Sequence, residues 1–169
     1  NQAIGLARYA LDFLWNPPAS GGGDPDASVL ERTEMFHTDA CLCGISALAL
    51  GTNSPTLLRQ EAFQYPAPTA GYGTMAPTGA AKKGGATVFG SNFQCQPEKA
   101  IVANSAAVRE WDSNGTNFGF NPTLGHTAGE FGHNDFYPVA LAAAQMMGKD
   151  GKFALRGMTE CWRDELRRH

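Results

Sequence analysis

Residues 113–134 hold five glycines and four asparagines and lie between two apolar, alanine-rich segments. That contrast constrains the chain more than any other feature. A stretch so rich in Gly and Asn cannot be regular helix or strand, and it is a poor way to build a core. It suits a site, because Gly lets backbone approach a ligand while polar neighbours supply chemistry. The flanks read as helices. Pro97 opens one, through Ala100, Ile101, Ala103, Ala106, Ala107, Val108 and Trp111, and its alanines let neighbours pack closely. The other runs from Asp135 through Val139, Leu141, Ala142, Ala143, Ala144, Met146 and Met147 to Gly148.

The rest of the chain also reads as helix and loop. Residues 1–16 show helical spacing in Ile4, Leu6, Leu11, Phe13 and Leu14, ended by Asn16-Pro17-Pro18. Ser28 as N-cap and Gly51 as C-terminal stop frame a long helix. Its second half, Cys41 to Leu50, is apolar on almost every side, the mark of a buried helix. Ser54-Pro55 starts a short helix to about Phe63. Residues 64–86 read as a long loop, and Ala86 to Gly90 as a short strand or extended segment. Gly71-Tyr72-Gly73-Thr74-Met75-Ala76 loosely matches a dinucleotide fingerprint, but no strand precedes it and no helix pattern follows. A last helix covers residues 152–167. The fold class is all-α: one helical domain over residues 1–169, with long Gly-rich loops and no alternating α/β pattern.

Composition removes several functions. A length of 169 residues allows one domain with a real core. A net charge of -3 gives no basic footprint for nucleic acid. No apolar run has the length of a membrane span. Cys41, Cys43, Cys95 and Cys161 form no CxxC pair and show no His spacing suited to zinc, so they suggest no zinc site; no metal and no cofactor are expected, on the family resemblance given below. They read as free thiols of a reducing compartment, the cytoplasm, with the mitochondrial matrix fitting equally. Only 17% of residues are charged, which points to a surface partly covered, either by further sequence or by a partner.

Within the Gly-rich loop, chemistry-bearing groups cluster. Asp112 falls at the end of the helix that starts at Pro97, where the negative end of the dipole disfavours a carboxylate. Thr116 offers a hydroxyl beside the backbone amides near Gly115. His133 precedes the next helix, whose N-terminal amides favour an anion. His126 is a rival imidazole. One loop thus combines an acid, an alcohol, an imidazole and an anion-binding terminus, which suits a carboxylate substrate and a proton transfer. Asp112 serves equally well as the cap of an Asx-turn, and Asn114 and Thr116 as ordinary turn formers. Asp112, His126 and His133 also make a conceivable metal ligand set.

The run Arg109-Glu110-Trp111-Asp112-Ser113-Asn114-Gly115-Thr116, followed by Gly129-Glu130-Phe131-Gly132-His133, resembles the acid–loop–His segment of the MmgE/PrpD family, which includes 2-methylcitrate dehydratase and cis-aconitate decarboxylase. Cys41 to Gly51 is similar to the family's early buried helix, and Ala86 to Gly90 to its extended segment before the Ala-rich helix. The order and spacing of these pieces over residues 28–160 carry the resemblance. It implies a helical main domain, metal-free lyase chemistry and a small polycarboxylate substrate. It assigns His133 as general acid or base, Asp112 to positioning a proton or the substrate, and Thr116 to a carboxylate. Asn114, Gly115 and Asn134 fall to substrate binding. The chain departs from the family at His133-Asn134-Asp135, where His-Pro-Ser is usual, and at residues 117–128, which look inserted. The family's lid domain and remaining catalytic His and Lys lie beyond the matched region. The resemblance therefore implies a homo-oligomer or a second chain carrying the missing half. The other expectation is a non-catalytic relative that keeps the helical scaffold to bind a partner.

Overall fold

The computed structural model describes residues 2–16, 23–67, 84–113, 122, 123, 125 and 133–166. These form six α-helices and one short hairpin: α1 (Gln2–Trp15), α2 (Ala27–Ala49), α3 (Asn53–Ala62), β1 (Ala86–Thr87), β2 (Gln94–Cys95), α4 (Pro97–Arg109), α5 (Tyr137–Met146) and α6 (Gly151–Leu166). The all-α expectation holds at this level: the structure is mostly helical. No single helix among the described residues is long and apolar enough to cross a membrane.

The α2 cap lies two residues before the expected one. Asp26, not Ser28, is the N-cap, and its carboxylate accepts hydrogen bonds from the Ser28 amide at 2.9 Å and from the Ser28 hydroxyl. An ionised acid at this position satisfies an orphan amide and meets the positive helix end. The far end stops at Gly51, whose φ of +67° is left-handed backbone that glycine adopts without a Cβ penalty. The chain then bends by 92° into α3. Thr52, not Ser54, is the α3 N-cap, and its hydroxyl donates back to the Ala47 carbonyl at 3.1 Å rather than capping α3.

α4 is the hub. It packs against α2, α3 and α5, while α6 closes on α5, α2 and α1. The reason lies in its small residues. Ala100, Ala103 and Ala107 are buried at spacings of three and four, which brings neighbouring helices close. One core cluster joins Ala100 and Ala103 to Ala62, Ala86, Val88, Cys95 and Ala142; a second gathers Ala40, Val108, Tyr137, Ala144, Ala154 and Met158.

The expected burial of the second half of α2 is corrected. Its buried face consists of Ala40, Gly44 and Ala47, whereas Leu42 and Ile45 are 62% and 50% exposed. Gly44 is needed there: an added Cβ would lie 2.9 Å from the Phe89 ring. Small residues select the packed face, and the large ones point outward.

The hairpin pairs Ala86 with Cys95 and Thr87 with Gln94, antiparallel. β2 also pairs on its other side, through a bridge to Pro66 and bonds from the Ala67 amide to Gln94 and from the Gln96 amide to Tyr65, each 2.9 Å. β1 would be left with an open edge. Two helix side chains close it. Asn104 of α4 donates to the Thr87 carbonyl at 3.0 Å and accepts from the Phe89 amide at 2.9 Å. Gln145 of α5 accepts from the Thr87 amide at 2.9 Å and donates to its hydroxyl at 3.1 Å. Two carboxamides thus stand in for a third strand.

Candidate functional site

α4 ends at Arg109, three residues short of the acid expected at its terminus. The Asp112 amide turns back to the Arg109 carbonyl at 2.9 Å, and Asp112 takes a φ of +48°. Left-handed backbone is uncommon outside glycine but tolerated by Asp, whose short polar side chain bonds locally. Here that side chain pairs with Arg109 at 2.9 Å and is 68% exposed. The cation in the last turn offsets the unfavourable dipole at this end.

Across from it, the segment before α5 is a 3₁₀ turn, His133–Phe136. The expected helix start near Asp135 is therefore a tighter turn that begins at His133. Ser105 of α4 fixes it by donating its hydroxyl to the Asp135 carbonyl at 2.7 Å. The Asp135 carboxylate lies 3.8 Å from the Arg109 guanidinium. Burial pushes its carboxyl above the usual range; Arg109 pulls it down, and the Asp112 charge adds a smaller push upward. Asn134, at 1% exposure, is the buried member of the turn.

Arg109 thus spans both ends of the Gly-rich segment. It holds the acid just beyond α4 and the acid of the turn before α5 on one guanidinium. Asp112 and the His133 backbone are described; Asn114, Gly115, Thr116 and His126 lie outside the described residues, as does the His133 side chain. The N-terminal end expected to hold an external anion already carries a carboxylate, that of Asp135. Sequence patterning does not single out Arg109, Asp135 or Ser105. The available signal is a cation in the last helical turn three residues before an acid.

Other groups are placed less suggestively. His37 and Cys41 face each other on α2, with sulfur 3.7 Å from Nε2, and His37 meets the Tyr137 ring edge-on at 6.0 Å. Burial lowers the His37 pKa, with Glu34 opposing, and raises that of the Cys41 thiol. A thiol held protonated is a weak nucleophile, so this pair is part of the packing. Among the described residues no group of three His, Cys, Asp or Glu side chains is placed to hold a metal ion. A cleft of about 510 Å³ is lined by Gln94, Gln145 and Lys149, and an apolar one of about 270 Å³ lies between α1, α5 and α6; Asp112 and Asp135 line neither. The Gly71–Ala76 segment lies outside the described residues.

The described residues define a helical domain with an Arg-bridged acid pair flanking a Gly-rich segment of the sequence. No protein-family model and no solved structure matches the chain.

Proposed function

We propose that the chain is a lyase-type helical domain of the MmgE/PrpD kind that binds a small tricarboxylate, for dehydration of a 2-methylcitrate-like substrate or decarboxylation of a cis-aconitate-like one. The single observation that carries this is the Arg109 bridge. It holds Asp112 and Asp135, the acids that flank the Gly-rich segment, on one guanidinium, and this supports reading the flanks of that segment as one site. In this proposal His133 gives or takes the proton, Asp112 orients it, and Thr116 with the amides near Gly115 receives a carboxylate. Asn114, Asn134 and His126 complete the polar shell.

One guanidinium faces two carboxylates among the described residues. A polyanion bound here therefore needs charged His133 and further cations, which a second segment or chain supplies. Calorimetric titration with cis-aconitate tests this. Binding should weaken about tenfold or more in His133→Ala and in Thr116→Val, each loss being that of a charge-assisted or buried hydrogen bond. Equal affinity in both variants would overturn the assignment.

A second reading has its own observation. Met35, Leu42 and Ile45 of α2 and its C-cap residue Leu50 are 57%, 62%, 50% and 71% exposed, apolar surface suited to a partner chain. In this alternative the chain is a non-catalytic, partner-binding scaffold. Native mass measurement that finds a second polypeptide or a homo-oligomer, with no tricarboxylate binding, would favour it.

A further inference from the structure

α1 is held to the domain at one end. Phe13 is its buried residue, and the helix packs chiefly on α6. Arg156 of α6 fixes that end by donating to the Phe13 and Gly23 carbonyls at 2.9 and 2.8 Å, and the Trp15 ring lies 5.2 Å from that of Phe153. Every residue from 2 to 8 is exposed, so the first two turns project without a buried face. A helix of 14 residues is marginal by propensity alone and draws its stability from packing. This one also exposes apolar bulk. Ile4, Leu11 and Trp15 are 52%, 53% and 41% exposed. With Ala7 they repeat at spacings of three, four and four, which sets them on the face opposite Phe13.

We propose that this face docks a second copy of the chain, α1 packing antiparallel on the partner copy's α1. Charge selects the occupant. Arg8 and Asp12 are the only charged residues of α1, so its net charge is zero and neither an acidic nor a basic partner is favoured. A helix built for an anionic membrane surface carries a cationic polar face, which α1 lacks. Arg8 and Asp12 lie one turn apart along the same edge of the apolar face. An antiparallel pair brings like edges together and sets each Arg8 against the other copy's Asp12, in two symmetric contacts; a parallel pair does not. Among the described residues no ion pair holds Arg8, and the Asp12 carboxylate accepts from the Asn16 side chain at 3.1 Å. Ala7, near the middle of the face, lets the two backbones approach. α1 spans about 21 Å, so the pair buries a modest area and the dimer is weak, with a dissociation constant on the order of 100 μM. This surface shares no residue with the Arg109 cluster or with the exposed face of α2, so it stands apart from both functional readings.

Sedimentation velocity of the whole chain from about 10 to 500 μM reads the equilibrium and should show monomer passing to dimer. Leu11→Glu, at an exposed helical position, should abolish the dimer while dilute samples keep the parent's circular dichroism. Leu42→Glu, on the exposed face of α2, should leave the dimer intact. Arg8→Asp and Asp12→Arg each set like charges together and should weaken self-association about tenfold. An equimolar mixture of those two variants should recover it, because the mixed pair restores both contacts. Five results would overturn the proposal. They are a parent that stays monomeric throughout, a dimer that survives Leu11→Glu, a dimer lost in Leu42→Glu, and a mixture of the charge variants that associates no better than either alone. The fifth is a monomer that floats with phosphatidylcholine vesicles unless Leu11 is replaced, which would give α1 to a lipid surface.

Discussion

Replacing Asn104 by Leu should destabilise the domain by several kcal/mol although the two side chains have the same number of heavy atoms and the same branching. Asn104 is 3% exposed and its carboxamide makes two of the hydrogen bonds that hold the outer edge of the hairpin, to the Thr87 carbonyl and the Phe89 amide. Leucine makes neither. Each buried backbone group left without a partner costs about 1–3 kcal/mol. Two of them, less about 1 kcal/mol from burying an apolar side chain, give about 1–5 kcal/mol. For a domain of this size that corresponds to a melting temperature lower by about 3–15 °C. Urea unfolding monitored by circular dichroism measures the free energy directly, and an unchanged m-value would show that the same surface is exposed. Asn104→Asp sharpens the test. The carboxylate still accepts from the Phe89 amide but faces the Thr87 carbonyl without a proton, so its pKa should rise in the folded state. An acid with a raised folded pKa gains stability as pH falls into its titration range, because the folded state then binds more protons than the unfolded. The Asp variant should therefore recover stability toward acid pH, and the Leu variant should not. A Leu variant within about 0.5 kcal/mol of the parent would refute the view that carboxamides replace a strand here.

Asp135 carries a carboxyl raised mainly by burial, so it opposes folding once ionised; Asp135→Asn should stabilise the domain at neutral pH, with the difference shrinking as acid protonates the parent residue, read by thermal melts across pH. His37 is depressed by burial, so its contribution is complete above the ordinary imidazole pKa of about 6.5 and is lost as pH falls below it. His37→Gln should flatten that acid limb of the stability profile. Asp26→Ala should cost about 1 kcal/mol through loss of the α2 cap, whereas Ser28→Ala, a change at a residue inside the helix, should cost less.

Much of this architecture can be read from the sequence, for identifiable reasons. Pro97 sets the first turn of α4, Gly51 ends α2, and Pro17 lies just beyond α1, because Pro and Gly restrict or release single backbone angles locally. The packed face of α2 is not legible in the same way. Hydropathy gives Leu42 and Ile45 more weight than Gly44 and Ala47, yet close helix approach depends on the absence of side-chain volume, which the facing residue Phe89 decides. β2 is only two residues long, too short for alternation to be recognised, and one of its two partners, Pro66, is remote in sequence. Asn104 did leave a trace: a carboxamide on the alanine face of α4 must find polar partners when buried. At the candidate site, Asp112 and the loop that follows it stand out by composition. Arg109 and Asp135 do not, since their roles arise from an approach between two helix ends. The early buried helix that supported the family resemblance keeps its position but presents its large apolar residues to solvent.

The most direct test of the functional account follows backbone amide signals of Asp112, Ser113 and His133 in nitrogen–proton correlation spectra while cis-aconitate is added. A single anion site at the base of the loop predicts that all three shift together along one binding curve, and that His133→Ala moves that curve to about tenfold higher concentration. Signals at 112 and 133 that stay fixed at tens of millimolar ligand, or that titrate with unrelated affinities, would contradict a shared site.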